Sequence, residues 1–236
     1  SKVYIQTILA PVITTLVFLA IFTLAIGKLR GNINGIPFIE FLAPGLIMMA
    51  IIQNSFANAS SSIMAAKMQG NIIDTLMPPL TAGELVLAYA SGGATRGVFV
   101  GCAVGIAVSF FVELSIHNIL CIIFYAIASS YMLALLGIVG GIWADRQDHM
   151  TVMNGFIITP LSFLSGTFYS IDRLPETLQL IALINPFFYA IDGLRAGFTG
   201  QADGPLVIGA LVLGITNASL WMICRRMLET GYKLKP

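Results

Sequence analysis

Apolar residues gather into six runs, at 5–26, 38–59, 93–112, 120–144, 153–169 and 206–224, and most charged residues fall between them. A helix rises ~1.5 Å per residue and needs ~20 apolar residues to cross ~30 Å of hydrocarbon, so each run predicts a transmembrane helix. The fifth run has only 17 residues, about 26 Å, and is expected to continue into the surface segment after it. Two further apolar pieces, 178–184 and 187–191, are too short to cross and predict helices that lie at the outer surface or dip back into the bilayer. The predicted fold is an all-α integral membrane protein, a single transmembrane domain over residues 1–236, with short re-entrant or interfacial helices between spans five and six.

Six crossings leave both termini on one face. With that face cytoplasmic, Lys2, Lys67, Arg96, Arg146, Arg225, Arg226, Lys233 and Lys235 are inside, and Lys28, Arg30, Arg173 and Arg195 are outside. Eight against four obeys the positive-inside rule, so both termini are predicted cytoplasmic. Arg96, one turn into span three, reads as an interfacial anchor whose head reaches lipid headgroups; Glu40 and Glu113, near outer span ends, read the same way.

The polar residues inside the runs are neutral and grouped. Span two carries Gln53, Asn54, Asn58, Ser60, Ser61 and Ser62 in its inner half, with Asn54, Asn58 and Ser61 or Ser62 on one helical face. Span five places Asn154, Ser162, Ser165 and Tyr169 on one face. Polar groups in hydrocarbon must find a partner or face a cavity, which leaves helix-to-helix hydrogen bonds and the lining of a substrate path as two readings. Gly93, Gly97, Gly101 and Gly105 form a stripe on span three, and span four carries Ala126, Ser130, Ala134, Gly137 and Gly141. Seven residues separate these spans, so they are expected to pack as an antiparallel hairpin along the small ridges.

Composition narrows the function. Charged residues are 10% of the chain against roughly 25% in a soluble domain, which confirms the membrane class. A net charge of +1 with scattered Lys and Arg argues against a nucleic-acid partner. Cys102, Cys121 and Cys224 have no paired spacing, and His117 and His149 fall in loops, so neither a metal site nor catalytic residues are predicted. No ionisable residue is expected near the bilayer midplane, where an ion-coupled carrier keeps its ligands. The Gly27-Lys28 pair lacks the rest of a phosphate-binding loop, so no ATPase is encoded. The chain starts at Ser1 without a Met; native N-terminal residues are expected before it, and no cleavable signal peptide is visible.

Phe41-Leu42-Ala43-Pro44-Gly45 opens span two, Leu164-Ser165-Gly166-Thr167-Phe168-Tyr169 ends span five, and Asn185-Pro186-Phe187-Phe188-Tyr189-Ala190-Ile191-Asp192-Gly193-Leu194-Arg195 closes the outer segment. In order and chemistry these pieces resemble the type-2 ABC transporter permeases, the membrane subunits of ATP-driven exporters, over nearly the whole chain. The resemblance implies a multi-pass protein of a bacterial inner membrane that pairs with a second permease copy. It also implies two copies of a separate ATPase, which bind the ATP and Mg, so this chain needs no cofactor. Substrate would pass outward along spans one, two and five, which gives Asn54, Asn58, Ser61, Asn154, Ser162, Ser165 and Tyr169 a pathway role.

The inner loop 67–83 is the expected ATPase contact, through a short helix of Asn71, Ile72, Ile73, Asp74, Leu76 and Met77 that Pro78-Pro79 stops. Family members usually carry more Glu or Arg there, whereas this segment has only Asp74. Membrane lipid is the remaining expected partner. A non-transporting scaffold whose neutral interior only packs, and a channel or ion-coupled carrier, are the alternative readings.

Overall fold

The computed structural model describes residues 2–27, 32–33, 35–72, 79–171 and 174–233. Helix α1 (Lys2–Phe22) runs into a π-helical turn, Thr23–Gly27. A two-residue antiparallel ladder, β1 (Asn32–Ile33) with β2 (Ile36–Pro37), then reverses the chain into α2 (Phe38–Met68). Helices α3 (Ala82–Ser109) and α4 (Ile119–Trp143) follow, then α5 (Gln147–Met153), a π-helical turn Asn154–Ile158, and α6 (Thr159–Leu164). The chain ends with α7 (Glu176–Ile184), α8 (Pro186–Thr199) and α9 (Leu206–Thr230).

By length and composition, α1 with its π turn, α2, α3, α4 and α9 can each cross a membrane. The expected fifth span is α5, the π turn and α6 in one helical path. It is longer at its start and does not continue into the surface segment: the helix ends at Leu164 and Gly166 takes a positive φ of 80°. Backbone angles stay helical from Met153 through Asn154 and Ile158 to Thr159. Gln147 to Leu164 thus covers about 27 Å. Pro160 explains the π turn: it has no N–H for the carbonyl four residues back, and Thr159 N–H reaches Asn154 O instead, five back. Helices α7 and α8 meet at 86°. Both ends of α8 touch the outer rim: Asn185 Nδ2 donates to Ser165 Oγ at 2.7 Å, and Gly197 O accepts from His117 N and Asn118 N at 3.0 and 2.8 Å. The pair therefore turns within the outer half, as the short apolar pieces predicted.

Helix α2 is the centre of the bundle. Of its most apolar membrane window 78% is buried, against 11% for α1 and 11% for α9, although both of those helices are more apolar. The expected α3–α4 pairing is only part of the contact, because the glycine stripe faces α2 as much as α4. A Cβ on Gly93 would stand 2.8 Å from Ala134 Cβ and 3.1 Å from Ala59 Cβ. On Gly97 it would run into Ser55 Oγ and come within 2.8 Å of Ser130 Oγ, and on Gly101 it would meet the Ile51 side chain. From the other side, a Cβ on Gly137 or Gly141 would press on Phe56 O at 2.6 Å and on Ser60 O at 2.9 Å. Ser55 and Ser130 share a 2.7 Å hydrogen bond where the three backbones approach.

Span three is longer than the apolar run suggested. Thr81 and Glu84 form a capping box, with Thr81 N donating to Glu84 Oε2 at 2.7 Å and Glu84 N to Thr81 Oγ1 at 3.3 Å, and the helix starts at Ala82. Helix α2 likewise continues to Met68, so the inner connection is shorter than 67–83.

Candidate functional site

A cavity of about 340 Å³ opens where α1, α2 and α6 converge. Its polar wall is neutral: Thr14 and Thr15 from α1, Gln53 and Asn54 from α2, and Thr159 from α6. Apolar and aromatic side chains, Phe18, Met49 and Phe163 among them, supply the rest. Asn54 is half-buried and donates to Ala50 O at 2.9 Å. At the outer end Phe22 stacks on Phe168 at 4.4 Å, and Phe163 meets Phe168 edge-on at 5.1 Å. This aromatic cluster joins α1 to the turn after α6. Sequence reasoning missed it, although the four-residue spacing of Phe18 and Phe22 was a signal.

The remaining predicted pathway residues are spread around this cavity. Asn58 lies one turn below Asn54, and its Oδ1 accepts from Arg96 Nη1 at 2.8 Å. Ser61 is exposed and donates to Asn58 O at 3.2 Å. Asn154 has a buried Oδ1 without a hydrogen-bond partner among the described residues. Tyr169 is half-buried, with its hydroxyl on Leu164 O at 3.3 Å. Ser162 and Ser165 are buried inside the subunit and line no open surface in this conformation. Ser162 donates to Ile158 O at 2.7 Å, and its carbonyl accepts from Thr167 Oγ1 at 2.6 Å. Ser165 Oγ donates to Leu161 O at 2.5 Å and meets Asn185 Nδ2. The spacing that put these serines on one face was correct, but that face is buried, and Asn185 at the start of α8 covers Ser165.

Arg195 of α8, counted as an outer cation, and Asp192, which no count included, are both buried. Arg195 is 2% exposed: Nη2 donates to Gly166 O at 2.6 Å, Nε to Phe41 O at 3.3 Å, and the guanidinium lies 3.8 Å over the Phe41 ring. Asp192 is also buried and accepts from Asp203 N and Gly204 N at 2.8 and 2.9 Å. Together they tie α8 to the start of α2, to the turn after α6 and to the entry of α9. The signal was an Asp and an Arg three residues apart within an apolar helix, a spacing that puts both on one side.

Arg96 also needs correction. Because α3 starts at Ala82, Arg96 lies about four turns into the helix rather than one. Its guanidinium is held in the α1–α2–α3 junction by Asn58 and by Thr7 Oγ1 at 3.4 Å.

At the inner end, Asn71 is exposed and Ile72 is buried beside Val86, Ile138 and Ile142. Ile73, Asp74, Leu76 and Met77 lie outside the described residues. Lys67 Nζ, at the end of α2, donates to Ile142 O and Ala144 O at 2.7 Å each, satisfying terminal carbonyls of α4. Lys233 Nζ donates to Trp143 O at 3.0 Å and to Asp145 Oδ2 at 2.9 Å, and that hydrogen bond holds the Asp145 carboxyl below its usual range. Among the described residues no cluster of three His, Cys, Asp or Glu could hold a metal ion.

Relatives share this chain along its length. It is 35% identical over 234 residues to the inner membrane transport permease YadH of Escherichia coli (strain K12), covering 99% of this chain and 91% of that one. Nodulation protein J of Rhizobium leguminosarum bv. viciae is 28% identical over 221 residues, with 91% and 84% covered, and that of Neorhizobium galegae 28% over 211 residues, with 86% and 80%. Residues 2–199 match the model of the ABC-2 type transporter family. With its bundle of membrane-crossing helices and that match over most of its length, the chain belongs to the ABC-2 type transporter family and is a membrane subunit of a transporter.

Proposed function

We propose that this subunit is the permease of an ATP-driven exporter in a bacterial inner membrane, and that substrate leaves the cytoplasmic side along the α1–α2–α6 seam. The observation that carries this reading is the cavity itself. Five neutral polar side chains, from Thr14, Thr15, Gln53, Asn54 and Thr159, converge there within membrane-crossing helices, where polar groups persist only if paired or facing a path. The wall suits an uncharged polar group carried beside an apolar one. The names of the relatives, an inner membrane transport permease among them, support the location and the class.

The chain works with a second permease copy and with two copies of a separate ABC ATPase that binds ATP and Mg. Its sequence encodes no nucleotide site, so the force enters from that partner through the inner segment around Asn71 to Met77. The test is co-purification with a co-expressed ABC ATPase, followed by a screen for compounds that stimulate ATP hydrolysis in proteoliposomes. Asn54→Leu and Thr159→Val are expected to preserve complex assembly and basal hydrolysis while lowering stimulation. Full stimulation in both variants would remove the cavity from the pathway.

A further inference from the structure

Arg96 is a cation inside the membrane whose counter-charge is not in this chain as described. It lies about 20 Å from the outer end of α3, and its partner Asn58 about 30 Å from the outer end of α2. With a hydrocarbon core of ~30 Å, the guanidinium sits toward the cytoplasmic leaflet. Its two hydrogen bonds go to neutral acceptors, Asn58 Oδ1 and Thr7 Oγ1. Nε is buried without an acceptor, and no carboxylate comes within ion-pair distance among the described residues.

Other cations differ: Lys67, at the end of α2, is satisfied by two terminal carbonyls of α4. Arg225 has Glu229 at 2.7 Å, Lys233 has Asp145 at 2.9 Å, and Arg195 has two backbone carbonyls, an aromatic face and Asp192 one turn away. A guanidinium carries five N–H donors in a planar fork that matches a phosphate edge-on, and Arg96 uses two of them. An unpaired cation at this depth is costly unless an anion reaches it. Arg96 is only half-buried, and Gly92, one turn earlier on α3, has no atom within 4 Å of where a Cβ would stand.

We propose that Arg96 and Asn58 form an anion site for a phosphate-bearing group, reached from the cytoplasmic leaflet. Asn58 and Thr7 lie one turn to the cytoplasmic side of Asn54 and Pro11, which line the cavity, so the site stands at the inner mouth of the path. This deepens the exporter reading and rests on it only in making that position an entrance. The same chemistry is offered by a phospholipid headgroup and by a soluble phosphate compound.

The test uses the permease purified with its ATPase, stripped of lipid in detergent, and probed by native mass spectrometry and thermal unfolding. The probes are phosphatidylglycerol, an uncharged monoglucosyl diacylglycerol with the same acyl chains, and inorganic phosphate. Phosphatidylglycerol should be retained and should raise the unfolding temperature above the level reached with the uncharged lipid. Arg96→Gln should weaken retention about tenfold or more, and Arg96→Lys, which keeps the charge without the fork, should fall between. Displacement of the lipid by millimolar inorganic phosphate would assign the site to soluble anions, and resistance to it would assign the site to lipid headgroups. Equal retention of charged and uncharged lipid by the wild type overturns the proposal, and that comparison stands even where a variant does not fold. So does unchanged retention in a folded Arg96→Gln. Failure of the ATPase to co-purify would fell the exporter reading and leave the lipid comparison intact.

Discussion

Replacing Gly97 with Ala should destabilise the bundle sharply, although Ala is the better helix former. The new Cβ would run into Ser55 Oγ and stand 2.8 Å from Ser130 Oγ and 2.9 Å from Ile51 O, two of the three contacts being with α2. Those hydroxyls are already committed: each has one proton, and Ile51 O for Ser55, Ala94 O for Ser130, and the other hydroxyl all stand as acceptors at 2.7 Å. Overpacking costs ~1–3 kcal/mol and an interhelical hydrogen bond in a membrane protein ~0.6, so a loss of about 2–3 kcal/mol is expected after the small helix-propensity gain. For a chain of this size that is about 5–10 °C in apparent melting temperature, read by thermal unfolding of detergent-purified protein. Gly105→Ala is the internal control: it belongs to the same stripe, but its nearest neighbour, Ile47 Cδ1, is at 3.8 Å, an ordinary contact. It should be neutral or slightly stabilising. Equal melting temperatures for the two variants would refute the account of the stripe as a three-helix contact centred on α2. Ser55→Ala combined with Gly97→Ala should recover part of the loss, because it removes the most crowded atom.

Other outcomes follow from the two ends of the bundle. Arg195→Met should lower yield and thermal stability by ~3 kcal/mol or more, because Gly166 O loses its donor and Asp192 is left buried beside no cation, whereas Asp192→Asn with Arg195→Met should be milder. At the inner end, the Asp145 carboxyl titrates below its unfolded value, so its contribution is present above that value and is lost as pH falls through the folded one. A fluorophore near Lys233 should therefore report release of the C-terminal segment on acidification, and Asp145→Asn should abolish that pH dependence. Ile73→Ala with Leu76→Ala should leave membrane insertion intact and weaken ATPase capture, each side chain contributing about 1.5–3 kcal/mol if both dock. Normal capture by a well-expressed double variant would move the contact elsewhere, for instance to the segment from Asp145 to Met150.

The spans were legible because hydropathy over ~20 residues is a sum to which every residue contributes, and tertiary context changes it little. Their ends were less so. The Thr81 and Glu84 capping box adds eleven residues to α3 ahead of the glycine stripe, so Arg96 lies four turns into its helix rather than one. The helical faces were read correctly, since Asn54 and Asn58 do share a side and Ser162 and Ser165 do share another. What a face meets is a property of packing, and it depends on which helix arrives there. Helix α8 covers Ser165 by placing Asn185 on it, whereas α1 and α6 leave Asn54 open to the cavity. The same limit applied to charge. Counting Arg195 as an outer cation was correct for the side of the membrane. Its burial follows from Gly166 O and the Phe41 ring, groups that lie 29 and 154 residues away in the chain and that no local pattern connects to it. In a membrane interior the side of a helix is written locally, while the partner of a polar group is a long-range fact. The unpaired donor on Arg96 is therefore visible only once all three helices around it are in place.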